Sequence, residues 1–231
     1  MIILRHDVDN AFSMKTLFSK GLNYMRMKIG PNIPAWESFG YLEDARRLFE
    51  REKSMGVHAS WFFRTITKPS KDFRQMLLRE EHEIGFHADR IENESYFGDD
   101  LRFVAEGSKF LGFTKHGSRG LPTPLSKGLG EVYNLELCIR RARDKEMAYF
   151  CGNDVVPTDE FQVVERVTVF PSVFWVSPGY MDDKRFTVDW LIDYQRDYDV
   201  VVLIHPGDAT MLFPKAAETV DKIYSRCEDI V

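Results

Sequence analysis

The sequence predicts an α/β fold organised around a mostly parallel sheet, and three observations carry that prediction. Short apolar runs rich in Val, Ile and Phe alternate with amphipathic stretches of helical length along the chain, the signature of repeated βα units. The chain has 231 residues, above the size of a small domain but within what an α/β barrel fills as one unit, so a single domain over 1–231 is expected. A composition 44% hydrophobic and 29% charged can bury a core, which excludes a disordered chain and a disulfide-stapled mini-protein.

The first strand is read at 2–6, where Ile2, Ile3 and Leu4 lead into Arg5, His6 and Asp7. An insertion at about 10–40 follows, with a predicted helix from Phe12 to Lys28 ended by Gly30-Pro31-Asn32-Ile33-Pro34. Its Phe12, Met14, Phe18, Tyr24, Met25 and Met27 recur near helical spacing and are expected to dock the segment on the barrel, with a lipid- or substrate-binding role as the alternative. Helix 41–55 places Leu42, Ala45, Leu48 and Phe49 on one face. Strands at 57–63 and 83–87 bracket a helix at 70–81, with Ser70 placed to cap it. The alternation continues with a helix at 99–111, a strand at 113–116, a helix at 134–145 and a strand at 147–151. It closes with an apolar run at 167–175, a helix at 187–197 capped by Thr187, a strand at 200–205 and a helix at 214–227. Glycine and proline in 117–130 mark a long loop, read as a lid or substrate wall.

Charge and cysteine usage narrow the partners. Formal charge is −5, from 31 basic and 36 acidic residues, and no Lys/Arg block stands out, so nucleic acid is not the expected partner. Cys138, Cys151 and Cys227 contain no CxxC pair and cannot all pair within one chain, which suits a reducing compartment. No basic segment followed by an apolar one opens the chain, and no apolar run approaches the ~18 residues of a membrane span. A cytoplasmic protein without a transmembrane segment is expected, unless a leader has been removed. The sequence specifies no oligomeric state.

In a parallel βα fold, reactive side chains collect where strands end and the following loops begin. His6, His87, His116 and His205 fall at such ends, as do Asp7 and Asp9. Residues two apart on an extended backbone point to the same side, so Asp7 and Asp9 can share one pocket. Carboxylates and imidazoles without thiolate suit a divalent metal of borderline softness, with positions left open for water and substrate. Zinc is the leading candidate, with Mn2+, Co2+, Fe2+ and Ni2+ as alternatives. The chemistry that follows is metal-assisted hydrolysis, in which a carboxylate takes the proton of water and an imidazolium protonates the leaving group. Each residue also has a structural alternative: aspartates after a strand cap loops, as Asn10 can, and a histidine before Gly117-Ser118 can satisfy turn carbonyls. His205 can be a loop residue made rigid by Pro206, and Trp175 suits packing better than stacking on a sugar. His58 and His82 lie near strand starts, the structural face, and His6 is assigned no chemistry.

The segments Leu4-Arg5-His6-Asp7-Val8-Asp9, Gly56-Val57-His58-Ala59-Ser60-Trp61-Phe62-Phe63, His82-Glu83-Ile84-Gly85-Phe86-His87 and Val202-Leu203-Ile204-His205-Pro206 resemble ordered motifs of the NodB-homology polysaccharide deacetylases, carbohydrate esterase family 4. More narrowly they resemble a divergent branch that opens with HDVD and carries a mid-chain motif, here His116-Gly117-Ser118. The resemblance runs from residue 2 to about 208 and implies a distorted (β/α)7 barrel that hydrolyses an N-acetyl or similar acyl group, usually on an amino sugar. Carried over by position, it makes Asp7 the catalytic base, His87 the first metal histidine and His205 the general acid. Asp9 becomes the metal carboxylate, although Val8 separates two aspartates that are adjacent in better-known members, so the roles of Asp7 and Asp9 are exchangeable.

The second metal histidine of the family falls four residues after the first, where this chain has Ile91. A third ligand must come from elsewhere, with His116 as first choice and Asp89 as second. Ser118, Arg119, Tyr180 and Asp182 are expected on the substrate side, Arg119 against the catalytic aspartate or an anionic substrate group. The expected partner is an acylated sugar, free or carrier-linked, met inside the cell. The alternatives are a small non-sugar amide as substrate, or a non-catalytic barrel that binds carbohydrate or a partner.

Overall fold

The computed structural model describes residues 1–30, 37–116, 135–152, 162–172, 174–177 and 187–227. Among them are nine strands: β1 (Ile2–Val8), β2 (Ser60–Phe63), β3 (Glu83–Ala88), β4 (Gly112–Lys115), β5 (Tyr149–Cys151), β6 (Gln162–Val164), β7 (Val167–Phe170), β8 (Phe174–Val176) and β9 (Val200–Ile204). They form one sheet in the order β6-β7-β5-β4-β3-β2-β1-β9-β8, parallel throughout except where β6 folds back on β7. β7 and β8 are consecutive in the chain yet stand near opposite borders of that order. Only residues 171–173 join them, and four Cα steps span at most about 14 Å. The sheet therefore curls until its borders nearly meet, giving the distorted (β/α) barrel.

The apolar run at 167–175 is thus two strands rather than one. Pro171 between them has no N–H to give to a ladder, which is where the chain leaves one border for the other.

Helices α1 (Leu17–Ile29), α2 (Glu43–Met55), α3 (Lys71–Arg79), α4 (Glu94–Ala105), α5 (Leu135–Asp144), α6 (Val188–Tyr194) and α7 (Pro214–Cys227) alternate with the strands. Ser70 and Thr187 cap α3 and α6 by accepting from the N–H groups of Phe73 and Trp190. α4 starts five residues before its expected position because Asn93 accepts from the Tyr96 N–H. No helix among the described residues is long and apolar enough to cross a membrane.

The strand period sorts β1 into two environments. His6 points outward to the helices, where its Nε2 lies 2.5 Å from Glu52 Oε1, and the same oxygen accepts from the Tyr224 hydroxyl at 2.7 Å. Arg5 and Asp7 point into the barrel. His82 accepts from the Ala59 N–H at 3.1 Å, so both it and His6 have structural duties. Trp175 donates to the Ser172 carbonyl within the core, consistent with packing.

The inserted segment docks differently from expectation. Phe12 and Leu22 are buried, but Phe18, Tyr24, Met25 and Met27 are exposed. Polar groups make much of the attachment: Asn23 exchanges two hydrogen bonds with the backbone of Phe12, and buried Arg26 donates to the Ile66 carbonyl and the Tyr41 hydroxyl.

Tight packing at the strand starts gives a stability test. A Cβ at Gly112 would overlap the Tyr149 ring, which is held in place by its hydroxyl bond to Glu83 at 2.7 Å. Gly112→Ala should cost about 1–3 kcal/mol in chemical denaturation. Gly21→Ala on α1, with nothing within 4 Å, should be neutral or stabilising by up to about 1 kcal/mol. Equal effects would show that the barrel interior relaxes freely around Tyr149.

Candidate metal and catalytic site

The end of β1 supplies three side chains at two-residue spacing. Arg5 donates from Nε to Asp7 Oδ1 at 3.0 Å and from Nη2 to Asp7 Oδ2 at 2.5 Å, a bidentate pair closed off from solvent. Its Nη1 reaches across the barrel to the Gly152 carbonyl at 2.7 Å and the Ser172 hydroxyl at 2.6 Å. Burial pushes the Asp7 carboxyl up, but the charge and hydrogen bonds of Arg5 oppose it, and the carboxyl titrates below its ordinary value.

Asp9 lies beyond the strand, in a turn fixed by Arg64. That guanidinium donates to the Asp9 carbonyl at 2.9 Å and holds Asp89 by a second bond of 2.9 Å. The Asp9 carboxylate thereby meets the ends of β3 and β4. Its Oδ1 is 3.0 Å from His87 Nε2 and 2.9 Å from His116 Nδ1, and the two ring nitrogens are 3.2 Å apart. One ligand atom from each of Asp9, His87 and His116 falls within 4.8 Å of the others.

The surrounding hydrogen bonds fix which atoms carry protons. Thr114 stands beside His87 in the β3–β4 register, and its hydroxyl donates to Asp7 Oδ1 at 3.3 Å. Its oxygen then accepts from His87 Nδ1–H at 2.5 Å. Burial pushes the His87 pKa down despite the nearby Asp7 and Asp9, so the ring is neutral and Nε2 presents a lone pair. That lone pair faces the Asp9 carboxylate oxygen, an arrangement that calls for a cation between them. The donor set of two imidazoles and a carboxylate, with one histidine held from behind by a hydroxyl, fits a divalent metal.

His205 follows β9 on the other side of Asp9, with Nε2 3.5 Å from Asp9 Oδ2 and Nδ1 3.7 Å from Asp208 Oδ2. Burial pushes the Asp208 carboxyl up, the His205 charge opposes that, and Asp9 adds to it, leaving Asp208 above its ordinary value. Asp7, Asp9, His205 and Asp208 line one cavity of about 240 Å³. That is several times the roughly 30 Å³ of a liquid water, so a nucleophilic water and an acyl group both fit.

The structure thus brings together Asp7, Asp9, His87, His116 and His205. Ile91, where the family places a histidine, is buried in the apolar core, and Asp89 is engaged by Arg64, so His116 is the third member of the cluster. Ser118, Arg119, Tyr180 and Asp182, and the loop 117–130, lie outside the described residues. The cation found against Asp7 is Arg5, which sequence reasoning overlooked although the spacing that joins Asp7 to Asp9 also joins Arg5 to Asp7. Thr114 and Asp208 were missed as well. The first needs the strand register, while the second stands three residues after His205 and was within reach.

No family model and no curated protein matches the chain. Solved structures match it in fold. A Bordetella bronchiseptica protein assigned as a polysaccharide deacetylase involved in O-antigen biosynthesis superposes with a TM-score of 0.58 at 14% identity, over 99% of this chain and 81% of that one. A Mycobacterium smegmatis protein assigned as a polysaccharide deacetylase gives 0.55 at 14% identity, over 98% and 83%. The 4-alpha-glucanotransferase of Thermococcus litoralis gives 0.55 at 13% identity, over all of this chain and 36% of that one. The chain has the NodB-like deacetylase fold, at a divergence where likeness speaks for the backbone alone. Since one of these neighbours is a transferase, the chemistry must be argued from the site.

Proposed function

We propose that residues 1–231 act as one catalytic domain, a metal-dependent hydrolase that removes an N-acyl group, in the first instance N-acetyl, from an amino sugar or glycoconjugate precursor in the cytoplasm. The observation that carries this reading is the convergence of Asp9, His87 and His116 beside Asp7 and His205 at the mouth of the barrel. The resembled motifs and the names of two fold neighbours support an acylated sugar as substrate. Buried Cys151, a free thiol, suits a reducing compartment.

Asp9, His87 and His116 would hold the metal, with zinc first on the nature of the donors. Bound there, a divalent ion supplies Lewis acidity, lowering the pKa of a water and polarising the acyl carbonyl. Asp7 accepts the proton released by that water. Arg5 keeps Asp7 anionic, the only form that can do so, at some cost in basicity. His205, its ring flanked by Asp208 and Asp9, delivers a proton to the departing amine nitrogen. Thr114 holds His87 in the tautomer that leaves Nε2 free.

Elemental analysis of protein purified without chelator tests the site. About one divalent metal per chain is expected, falling below a tenth of that in His87→Ala/His116→Ala. Amine release from N-acetylated sugars should follow metal content. Equal metal in both proteins, or metal-loaded protein inert on free, nucleotide-linked and oligomeric N-acetyl sugars, would overturn the proposal.

A further inference from the structure

The inserted helix α1 is amphipathic the wrong way round for a helix that only packs. Leu22, Asn23 and Arg26 turn inward, and away from them the helix exposes Leu17, Phe18, Tyr24, Met25 and Ile29, with Leu17 88% exposed, while Met27 is exposed on the other flank. Phe39, itself exposed, continues this surface through an edge contact with Phe18 at 5.7 Å. Single exposed apolar residues are ordinary, but five on one side of a helix of 13 residues make the kind of surface that marks an interaction site.

The charge around the patch identifies what it meets. Residues 10–36 contain Lys15, Lys20, Arg26 and Lys28 and no Asp or Glu, in a chain of formal charge −5. Arg26 is buried on backbone and hydroxyl acceptors and Lys15, before the helix, faces Asp44, so the exposed cations of α1 are Lys20 and Lys28, interleaved with the aromatic and aliphatic side chains. Lys28 lies over the Tyr24 ring at 5.7 Å. A protein groove takes a narrow apolar stripe with charges kept outside it, and a phosphate backbone offers no burial to Leu17 or Ile29. A broad apolar arc carrying lysines and no acid is complementary to an anionic lipid interface, where apolar side chains enter the acyl boundary and ammonium groups stay among the headgroups.

We infer that α1 is a docking surface for anionic membrane, lying in the plane of the bilayer interface. Its placement gives the docking a direction. The segment leaves β1 just after Asp9, and Arg26 binds the carbonyl of Ile66 beyond the end of β2, so α1 sits at the barrel end that carries Asp9, His87 and His116. Met27 and Gly30 share a cleft with Arg64 and Asp89, and Arg64 holds the Asp9 turn. Membrane contact through α1 brings the mouth of the barrel to the lipid surface, where a lipid-carried acylated sugar would be presented. That last consequence rests on the deacetylase reading, whereas the docking does not.

Co-sedimentation of the full chain with vesicles tests the inference, comparing phosphatidylcholine alone with a mixture containing about a third phosphatidylglycerol. Binding to the anionic vesicles is expected, weakened by added salt. Each exposed lysine near such a surface contributes about fivefold, so Lys20→Glu/Lys28→Glu should weaken binding by at least about 25-fold. Leu17→Ser/Tyr24→Ser should weaken it comparably, and both variants should keep wild-type activity on a water-soluble N-acetyl sugar. Absence of binding, equal binding to both vesicle types, or a dimer that Leu17→Ser/Tyr24→Ser converts to monomer would overturn the inference, the last by assigning the face to a second copy of the chain. Failure of the deacetylase reading registers separately, as absent amine release with sedimentation unchanged.

Discussion

Asp7→Asn should lower deacetylation by about 10²–10⁴-fold while the protein keeps its metal, the loss expected when a general base is removed. Asparagine has the shape of aspartate and still accepts from Arg5 through its amide oxygen, but it cannot take a proton from water. Asp7 is not one of the three converging ligand groups, and it meets His87 through Thr114 and at 3.6 Å from Nδ1, the ring atom turned away from Asp9, so metal content should change little. His87→Ala gives the opposite pattern. It removes a ligand whose Nε2 faces Asp9 and should lose metal together with activity. If Asp7→Asn kept turnover within tenfold of wild type, the base would have to be sought elsewhere in the cavity, with Asp208 the first residue to test. Metal retained in His87→Ala would overturn the ligand assignment.

The largest effect on stability is expected at Arg5. Arg5→Met leaves the buried Asp7 carboxylate without its counter-charge and removes the donor from Gly152 and Ser172, so a cost of about 3–5 kcal/mol is expected in denaturant unfolding. Arg5→Met/Asp7→Asn, which removes both charges, should recover a substantial part of it, and a double-mutant cycle measures that coupling.

The pH dependence has a definite sign. In the wild type Asp7 titrates lower folded than unfolded, so its stabilisation is complete above the unfolded value of about 3.9 and is lost as pH falls below that through the folded one. Without Arg5, burial faces weaker opposition, the folded carboxyl moves above the unfolded value, and the penalty becomes greatest at neutral pH. The gap between Arg5→Met and wild type should therefore narrow on going from pH 7 toward pH ~4. A gap below about 1 kcal/mol at pH 7 would mean that the pair behaves like a surface salt bridge and that solvent reaches it.

Much of this is written locally in the sequence. The alternation of apolar runs and amphipathic stretches locates seven runs, one of which holds both β7 and β8, because a buried parallel strand is short and apolar on both faces. The hairpin strand Gln162–Val164 escapes that test, since it is an antiparallel border strand whose Val163 stays exposed rather than a buried apolar run. Asp9, His87, His116 and His205 are legible because strand ends define one face of the barrel. Thr114 is not, because its role depends on standing beside His87, and register is a property of two strands rather than one. The apolar pattern of α1 is equally visible, but periodicity has no sign. It shows that one face differs from the other without saying which is turned to solvent, and here packing through Asn23 and Arg26 decides.

The seam between β7 and β8 gives the barrel an asymmetry in compliance. Along the ladder from β7 through β1 to β8, any widening must break backbone hydrogen bonds in a row, whereas among the described residues no ladder joins the two borders. A guanidinium reaches into the gap region: Arg5, rooted in β1, grips Gly152 at the end of β5 and Ser172 inside the seam itself. The barrel is built as a split ring, and the clasp that holds the ring shut is the same side chain that sets the charge on Asp7. The closure at the seam and the charge on Asp7 therefore rest on one guanidinium, so a substitution at Arg5 acts on both together.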